Sequence, residues 1–230
     1  MPADDEQITA MVAGVQKLSE WFWGPNLQMC HEILARTYFQ PFAALESVLK
    51  FNPPDVLQKI ESYLKNFPDA DSLFQCLETD YVRLFISHRD GIAAPLYESC
   101  YFGVEPGETA SLMGEPAIRM KRCLEAKGLS MDTRLSEPPD HFAIELEYLY
   151  FLLEKGWGDN NRALVAEAAS FATDIMLPWA TKFQKRLAAV ETEGSFYLLI
   201  TAILCPFLQF IGRESNDLAL MVFSPNPQSA

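Results

Sequence analysis

Residues 137–156 read EPPDHFAIELEYLYFLLEKG, a proline pair followed by a strongly apolar run that ends near Gly156. Proline is tolerated in the first turn of a helix and disfavoured further in, so the pattern predicts a helix with Asp140 in its first turn. Apolar residues recur every three or four positions along most of the remaining chain, which is the period of an amphipathic helix. The sequence therefore predicts an all-α protein.

The same periodicity predicts the other helices and the breaks between them. Gly24-Pro25 ends the first helix, and Asp71 or Ser72 is the expected cap of a helix that runs to about Phe85. Residues 87–107 lack the helical period and predict a long loop, a kind of segment that is often functional. The predicted helices are residues 8–21, 27–39, 42–49, 56–64, 72–85, 114–128, 161–173, 175–189 and 195–211.

With about ten helices and no strand pair, hairpin or repeat, the expected fold is a compact helical bundle in a single domain over residues 1–230. Residues 129–137 predict a hinge between an N-terminal and a C-terminal half, and residues 224–230 a disordered tail. The apolar run 196–211 is shorter than the roughly 18 residues of a membrane span and contains Pro206. We expect it to be a buried core helix.

The charge balance restricts the class of partner. Asp and Glu total 31 against 18 Lys and Arg, a formal net charge of −13, which disfavours nucleic acid and anionic lipid and attracts cationic ligands. The five cysteines include no C-x-x-C pair, which favours a reducing compartment. The start, MPADDE, is acidic where a secretory signal is basic. We therefore expect a cytoplasmic protein.

Motifs of catalysis are missing from the sequence. It contains no P-loop, G-x-G-x-x-G, G-x-S-x-G or H-E-x-x-H pattern, and its three histidines are far apart. Asp140-His141 resembles a catalytic pair, but no second His-Asp cluster accompanies it. We expect no enzymatic activity, no cofactor and no metal. An all-helical metal- or nucleotide-dependent enzyme stays open as a third hypothesis.

Three groups of residues remain as candidates for binding, each with a structural alternative. Tyr81, Leu84 and Phe85 have the spacing of core positions, and the loop residues either form a lid on the core or contact a ligand. Asp140 is a candidate helix cap, and carboxylates beside the hinge are candidate acceptors for guanidinium groups. The second group is Pro95, Leu96, Tyr97, Glu98 and Ser99, and the third is Asp140, His141, Glu145 and Glu147.

Taken in order, the motifs resemble the TorD/DmsD/NarJ family of redox-enzyme maturation chaperones. The matching patterns are Tyr81-x-x-Leu84-Phe85, Pro95-x-Tyr97-Glu98-Ser99 and Glu137-Pro-x-Asp140-His141, and most of the match falls within residues 78–154. The sequence departs from the family where Ile86-Ser87-His88 replaces a common Gly-Pro, and where Tyr97 replaces the tryptophan of some members. These departures bear on the identity of the client, because pocket shape sets specificity.

The resemblance implies a cytoplasmic, all-helical chaperone that binds the twin-arginine signal peptide, or another segment, of a molybdenum-cofactor oxidoreductase until cofactor insertion and export. It implies a peptide site at the three motifs. From the charges, we expect Glu98, Asp140 and either Glu145 or Glu147 to contact the arginines. Tyr81, Leu84, Phe85, Leu96 and Tyr97 would then cover the apolar segment. A NarJ-like chaperone that binds a non-leader segment is the alternative. The client stays unidentified, and either a monomer or a domain-swapped dimer is expected.

Overall fold

The computed structural model describes residues 2–47, 49, 55–87, 92–102, 113–131, 137–191 and 195–222. Within these ranges the chain is built from helices and contains no strand; a lone antiparallel bridge pairs Tyr97 with His141. The predicted all-α class is therefore confirmed. The predicted tail at 224–230 and residues 132–136 of the predicted hinge lie outside the described residues.

Ten α-helices follow one another along the described chain. A π-helical turn, Val82–Ile86, extends α5, a second one, Phe171–Met176, joins α8 to α9, and a 3₁₀ turn covers Glu98–Cys100. The α-helices are α1 (Pro2–Trp23), α2 (Leu27–Leu34), α3 (Gln40–Ala44), α4 (Val56–Leu64), α5 (Ala70–Tyr81), α6 (Glu115–Ala126), α7 (Phe142–Gly158), α8 (Arg162–Ser170), α9 (Leu177–Val190) and α10 (Phe196–Val222).

Several helix boundaries differ from the predicted ones. The predicted helix 27–39 ends early, because Arg36 adopts a left-handed φ of 65° that stops the helix after α2. Asp69, rather than Asp71 or Ser72, caps α5, since its side chain accepts a hydrogen bond from the Ser72 amide. Between α8 and α9 the helical backbone continues through the π turn, where a break was expected.

The core surrounds α7, whose residues are buried on nearly every side. This helix packs against α1 and α8, while α10 packs against α8, α9 and α4. The Phe142 ring lies 4.5 Å from the Phe22 ring of α1 and 3.9 Å from the Trp179 ring of α9, measured between centroids. Aromatic contacts of this kind fix the start of α7 against two neighbouring helices.

The longest helix, α10, contains the stretch Phe196–Arg213, which by length and composition alone is apolar enough to cross a membrane. In the described part of the chain, 78% of this stretch is buried inside the protein. The helix continues through Pro206, in agreement with the predicted helix 195–211. The burial agrees with the prediction of a core helix.

The end of α1 brings a tryptophan to the start of α7. Gly24 has a φ of 106°, and a Cβ atom built there would lie 3.4 Å from the Tyr81 ring. The Tyr81 hydroxyl donates to the Phe22 carbonyl at 3.0 Å, so it satisfies a carbonyl in the last turn of the helix. Tyr81 and Gly24 together fix the position of Trp23.

Candidate peptide-binding site

A short backbone ladder joins the proline-aromatic loop to the start of α7. The Phe142 amide donates to the Leu96 carbonyl at 2.8 Å, and the Glu98 amide donates to the Asp140 carbonyl at 3.1 Å. Tyr97 and His141 face each other between these two bonds. Two of the three candidate groups therefore lie side by side, although more than 40 residues separate them in the sequence.

The third group is attached to the same loop from the other side. The Ala94 amide donates to the Leu84 carbonyl, in the π turn after α5, at 2.9 Å. Leu84 and Phe85 are buried in the core, whereas Tyr81 is half-buried beside Trp23 and Gly24. The structure thus brings all three predicted groups to one region.

Asp140 occupies a different position from the predicted one. It precedes α7 instead of lying in its first turn, and its Oδ2 accepts a hydrogen bond from the Ser99 amide at 2.9 Å. Asp140 therefore caps the 3₁₀ turn Glu98–Cys100 in the loop. Its side chain is completely buried, and its Oδ1 has no hydrogen-bond partner among the described residues.

His141 takes the role that was predicted for Asp140. Its Nδ1 accepts a hydrogen bond from the Ala143 amide at 3.2 Å, which makes His141 the cap of α7 and places the proton of the neutral ring on Nε2. The ring stacks on Trp23, with centroids 5.1 Å apart, and meets Tyr97 edge-on. Burial lowers the pKa of His141 to about 4, although the charges of Glu137 and Asp140 oppose the shift. The side chain is therefore neutral near pH 7.

A buried polar network lies beneath the loop. Trp179 Nε1 donates to Glu145 Oε2 at 2.9 Å, and the Glu98 carboxylate pairs with the Arg119 guanidinium from α6. Burial raises the pKa of Glu145 well above its usual range, and the nearby Glu98 charge and a hydrogen bond to Glu98 act in the same direction. Burial and the neighbouring Glu98 charge therefore both favour the protonated form of Glu145.

Exposure divides the twelve predicted residues into two classes. Tyr81 and Tyr97 are half-buried, and Glu147 is exposed. The rest are buried, so in the described structure they position the site and do not form its surface. These buried residues are Leu84, Phe85, Pro95, Leu96, Glu98, Ser99, Asp140, His141 and Glu145.

The surface of the site includes residues that the sequence prediction missed. Trp23 Nε1 donates to Glu147 at 2.6 Å, and the Tyr97 hydroxyl donates to Glu137 at 2.5 Å. We call Trp23, Tyr97, Glu137 and Glu147 the aromatic-acidic patch. Trp23 gave no signal beyond its place before Gly24-Pro25, because its partners are more than a hundred residues away. Glu137 belonged to the quoted motif but was not selected.

An apolar groove of about 290 Å³ adjoins this patch and shares Trp23 and Glu147 with it. Its walls come from the C-terminal end of α6, the residues that follow it and one face of α7. The other lining residues are Leu124, Leu129, Ser130, Met131, Ile144, Tyr148 and Phe151. The described part of the chain offers no group of three or more His, Cys, Asp or Glu side chains arranged to hold a metal ion. Chemically, the region is suited to a peptide that carries positive charge beside apolar side chains.

The chain matches a family model and, individually, several known proteins. Residues 52–185 match the model of the family described as nitrate reductase delta subunit. The chaperone protein TorD of Vibrio parahaemolyticus is 25% identical over 186 residues, which is 79% of this chain and 81% of that protein. The chaperone protein TorD of Photobacterium profundum is 29% identical over 166 residues, covering 68% of this chain and 73% of the relative.

Among solved structures, one similar protein is a candidate redox enzyme maturation protein from Archaeoglobus fulgidus. The superposition covers 91% of this chain and 94% of that protein, with 19% sequence identity and a TM-score of 0.47.

Proposed function

The chain belongs to the nitrate reductase delta subunit family, whose model covers more than half of its 230 residues, and from this premise we propose that it is a cytoplasmic chaperone for the maturation of a molybdenum-cofactor oxidoreductase. The family assignment confirms the predicted resemblance to the TorD/DmsD/NarJ group. The relatives named above are chaperones, in agreement with the expected absence of enzymatic activity. The client segment is the twin-arginine signal peptide of the oxidoreductase, bound until cofactor insertion and export.

The observation that carries this proposal is the contact between the aromatic-acidic patch and the apolar groove. Glu147 is an exposed carboxylate at the edge of the groove, and the Trp23 indole holds it in position through a 2.6 Å hydrogen bond. A twin-arginine leader presents guanidinium groups followed by an apolar segment. The first requires carboxylates and the second an apolar surface, and Glu147 with the groove supplies both.

The aromatic residues restrict where the peptide lies. Trp23 is half-buried, stacks on His141 and lines the groove, so it offers a rigid apolar surface to the peptide. Tyr97 occupies the loop beside His141 and orients Glu137 through its hydroxyl. A charge-assisted hydrogen bond to a partly desolvated carboxylate is worth about 1.5–3 kcal/mol, and aromatic anchors contribute comparably. Leader binding therefore depends on both classes of residue.

The test is calorimetric titration of the leader peptide of a twin-arginine oxidoreductase into the purified protein, with Glu147→Gln as the variant. Loss of the carboxylate charge is expected to weaken binding about tenfold or more, because one guanidinium loses its charged acceptor. Glu154→Gln is the matched control, an exposed glutamate two turns further along α7 that does not line the groove. Equal affinities of both variants and the unaltered protein would contradict the proposed site.

The name of the matched family favours a second candidate, an assembly chaperone that binds a non-leader segment of a respiratory reductase subunit. The groove would serve this function equally, and the arginine pair of the leader would be irrelevant. A leader peptide with both arginines replaced by glutamine distinguishes the two. Unchanged binding of that peptide supports the non-leader function, and a loss of binding supports the leader.

A further inference from the structure

The helix α6 carries a cationic run on a protein of strongly negative charge. Arg119, Lys121 and Arg122 lie within four residues of one another, whereas the whole chain has a net charge of −13. Lys121 and Arg122 are exposed. Arg119 instead extends to the loop and forms an ion pair with Glu98, leaving 33% of the Arg119 side chain and 4% of the Glu98 side chain exposed. Arg119 thus already occupies the buried acidic cluster.

The cluster has more acceptors than Arg119 satisfies. Glu98 interacts with the fully buried Glu145, and the charge of Asp140, itself fully buried, also acts on Glu98. Asp140 Oδ1 and Ser99 Oγ are buried and have no hydrogen-bond partner among the described residues. Buried acceptors are normally satisfied, and unsatisfied ones indicate a site that another donor can fill. A guanidinium group presents five donors in a planar fork, which suits several oxygens at once.

Among the described residues, α6 has few buried contacts. It buries the side chains Ala117, Met120 and Leu124, whereas α7 buries ten residues. Besides the Arg119–Glu98 pair, Lys127 contacts Glu167 at 2.6 Å just after the helix ends. Elements with little buried apolar surface open at the lowest free-energy cost. The N-terminal half of α6 can therefore separate from the loop while its C-terminal end stays attached.

We propose that Arg119 is an internal substitute for a client arginine, and that the leader displaces it from Glu98. The client guanidinium takes over the Glu98 carboxylate and supplies the donor that Asp140 Oδ1 lacks, while the first half of α6 swings away. The second client arginine stays at the surface with Glu147. This inference rests on the proposed function, since it specifies how the same site accepts the leader.

Competition by Arg119 lowers the apparent affinity for the leader, because the open site is populated for only part of the time. Removing Arg119 should therefore tighten leader binding. If Arg119 served only to stabilise the fold, its removal would leave leader binding unchanged or weaken it. The experiment is calorimetric titration of a twin-arginine leader peptide into the unaltered protein, Arg119→Gln and Arg122→Gln. Arg119→Gln is expected to bind at least about fivefold more tightly, and Arg122→Gln, exposed on the same helix, equally.

The outcomes separate this inference from the proposed function. Leader binding by the unaltered protein with equal or weaker binding by Arg119→Gln overturns the inference and leaves the proposed function in place. Absence of binding by all three proteins overturns both. In a Glu98→Gln background the substitution of Arg119 should have no further effect, because the contested carboxylate charge is gone. A fivefold gain that persists in this background would contradict the proposed competition.

Arg119→Gln leaves buried carboxyls without their cation, so its folding is checked by circular dichroism and a second variant accompanies it. Arg119→Lys keeps the charge but loses the planar fork and should show a smaller gain in affinity. In the unaltered protein, hydrogen exchange of the amides in Glu115–Ala126 should accelerate when the leader is added. Slower or unchanged exchange in this helix contradicts the displacement of α6, whatever the variants show.

Discussion

At the scale of single residues, His141 provides the helix cap that the sequence assigned to Asp140, and Asp140 caps the turn in the loop instead. An aspartate just after a proline pair is a typical helix cap, and the sequence pattern cannot tell that its acceptor faces a loop more than 40 residues earlier. The helix starts two residues later, and the His141 ring caps it. Arg119 could not be predicted either, because its contact with Glu98 depends on how α6 packs against the loop.

Removing the Asp140 side chain should lower the free energy of unfolding by about 1–2 kcal/mol, because the Ser99 amide loses its acceptor. Urea denaturation of Asp140→Ala measures this loss, and Asp140→Asn should lose less since an acceptor oxygen remains. Asp159→Ala is the control, an exposed aspartate just after α7. A loss of the same size in the control would contradict the capping role.

The pH dependence of stability should show the burial of His141. Its folded-state pKa of about 4 lies below the unfolded value of 6.5, so the unfolded chain binds more protons between these limits. Above pH 6.5 His141 therefore does not lower the free energy of unfolding. As the pH falls from 6.5 toward 4, the free energy of unfolding decreases by about 3 kcal/mol at most. The raised pKa of Glu145 has the opposite consequence. Its contribution to the free energy of unfolding is present at low pH and is lost as the pH rises through the pKa of the folded state.

The variant His141→Asn isolates the histidine contribution, since asparagine keeps a cap for α7 and does not titrate. Its free energy of unfolding, measured by urea denaturation at several pH values, should fall less steeply from pH 6.5 to 4 than that of the unaltered protein. If the free energy of unfolding has the same pH dependence in both proteins, His141 is not buried in its neutral form.

At the scale of elements, apolar periodicity predicted the helices well and their ends less well. The glycines at 24 and 128 marked helix ends correctly, because both adopt a positive φ that side chains disfavour. The π turns after α5 and α8 had no sequence signal, since their apolar spacing is that of an ordinary helix. Trp23 reached the site through the direction in which α1 ends, and this direction depends on packing against Tyr81.

Gly24→Ala should therefore lower the stability of the protein and weaken leader binding. The φ of 106° is strained for any residue with a Cβ atom, so we expect a loss of about 1–2 kcal/mol in the free energy of unfolding. Weaker leader binding is expected too, because Trp23 shifts with the turn. Gly158→Ala is the control, since a Cβ atom there meets nothing within 4 Å. Equal melting temperatures of the two variants would argue against the strain at Gly24.

At the scale of the whole molecule, the acidic composition disfavours nucleic acid and favours the approach of a cationic ligand. Composition alone cannot show where the charge acts, and several of the predicted carboxylates turned out to be buried. The groove could not be predicted from the sequence either, because its walls come from α6, α7 and the end of α1, which are far apart along the chain. What the sequence could supply was the order of the motifs along the chain.

A net charge of −13 should speed up the encounter with a cationic leader through long-range attraction. Stopped-flow measurement of the association rate constant at roughly 0.01 M and 0.15 M salt should show a clear decrease, since the screening length falls from about 30 to 8 Å. A leader with both arginines replaced by glutamine should show a smaller decrease. The same salt dependence for both peptides would mean that the arginine pair is not what the field attracts.

The ladder between Leu96, Glu98, Asp140 and Phe142 also has a consequence during synthesis on the ribosome. A nascent chain that has not yet reached Phe142 leaves the Leu96 carbonyl and the Glu98 amide without partners. The loop then keeps the bond from the Ala94 amide to the Leu84 carbonyl but lacks both bonds of the ladder, even though Trp23 and Tyr81 were translated long before. A product terminated before Asp140 should therefore bind the leader poorly, because its loop lacks both bonds of the ladder.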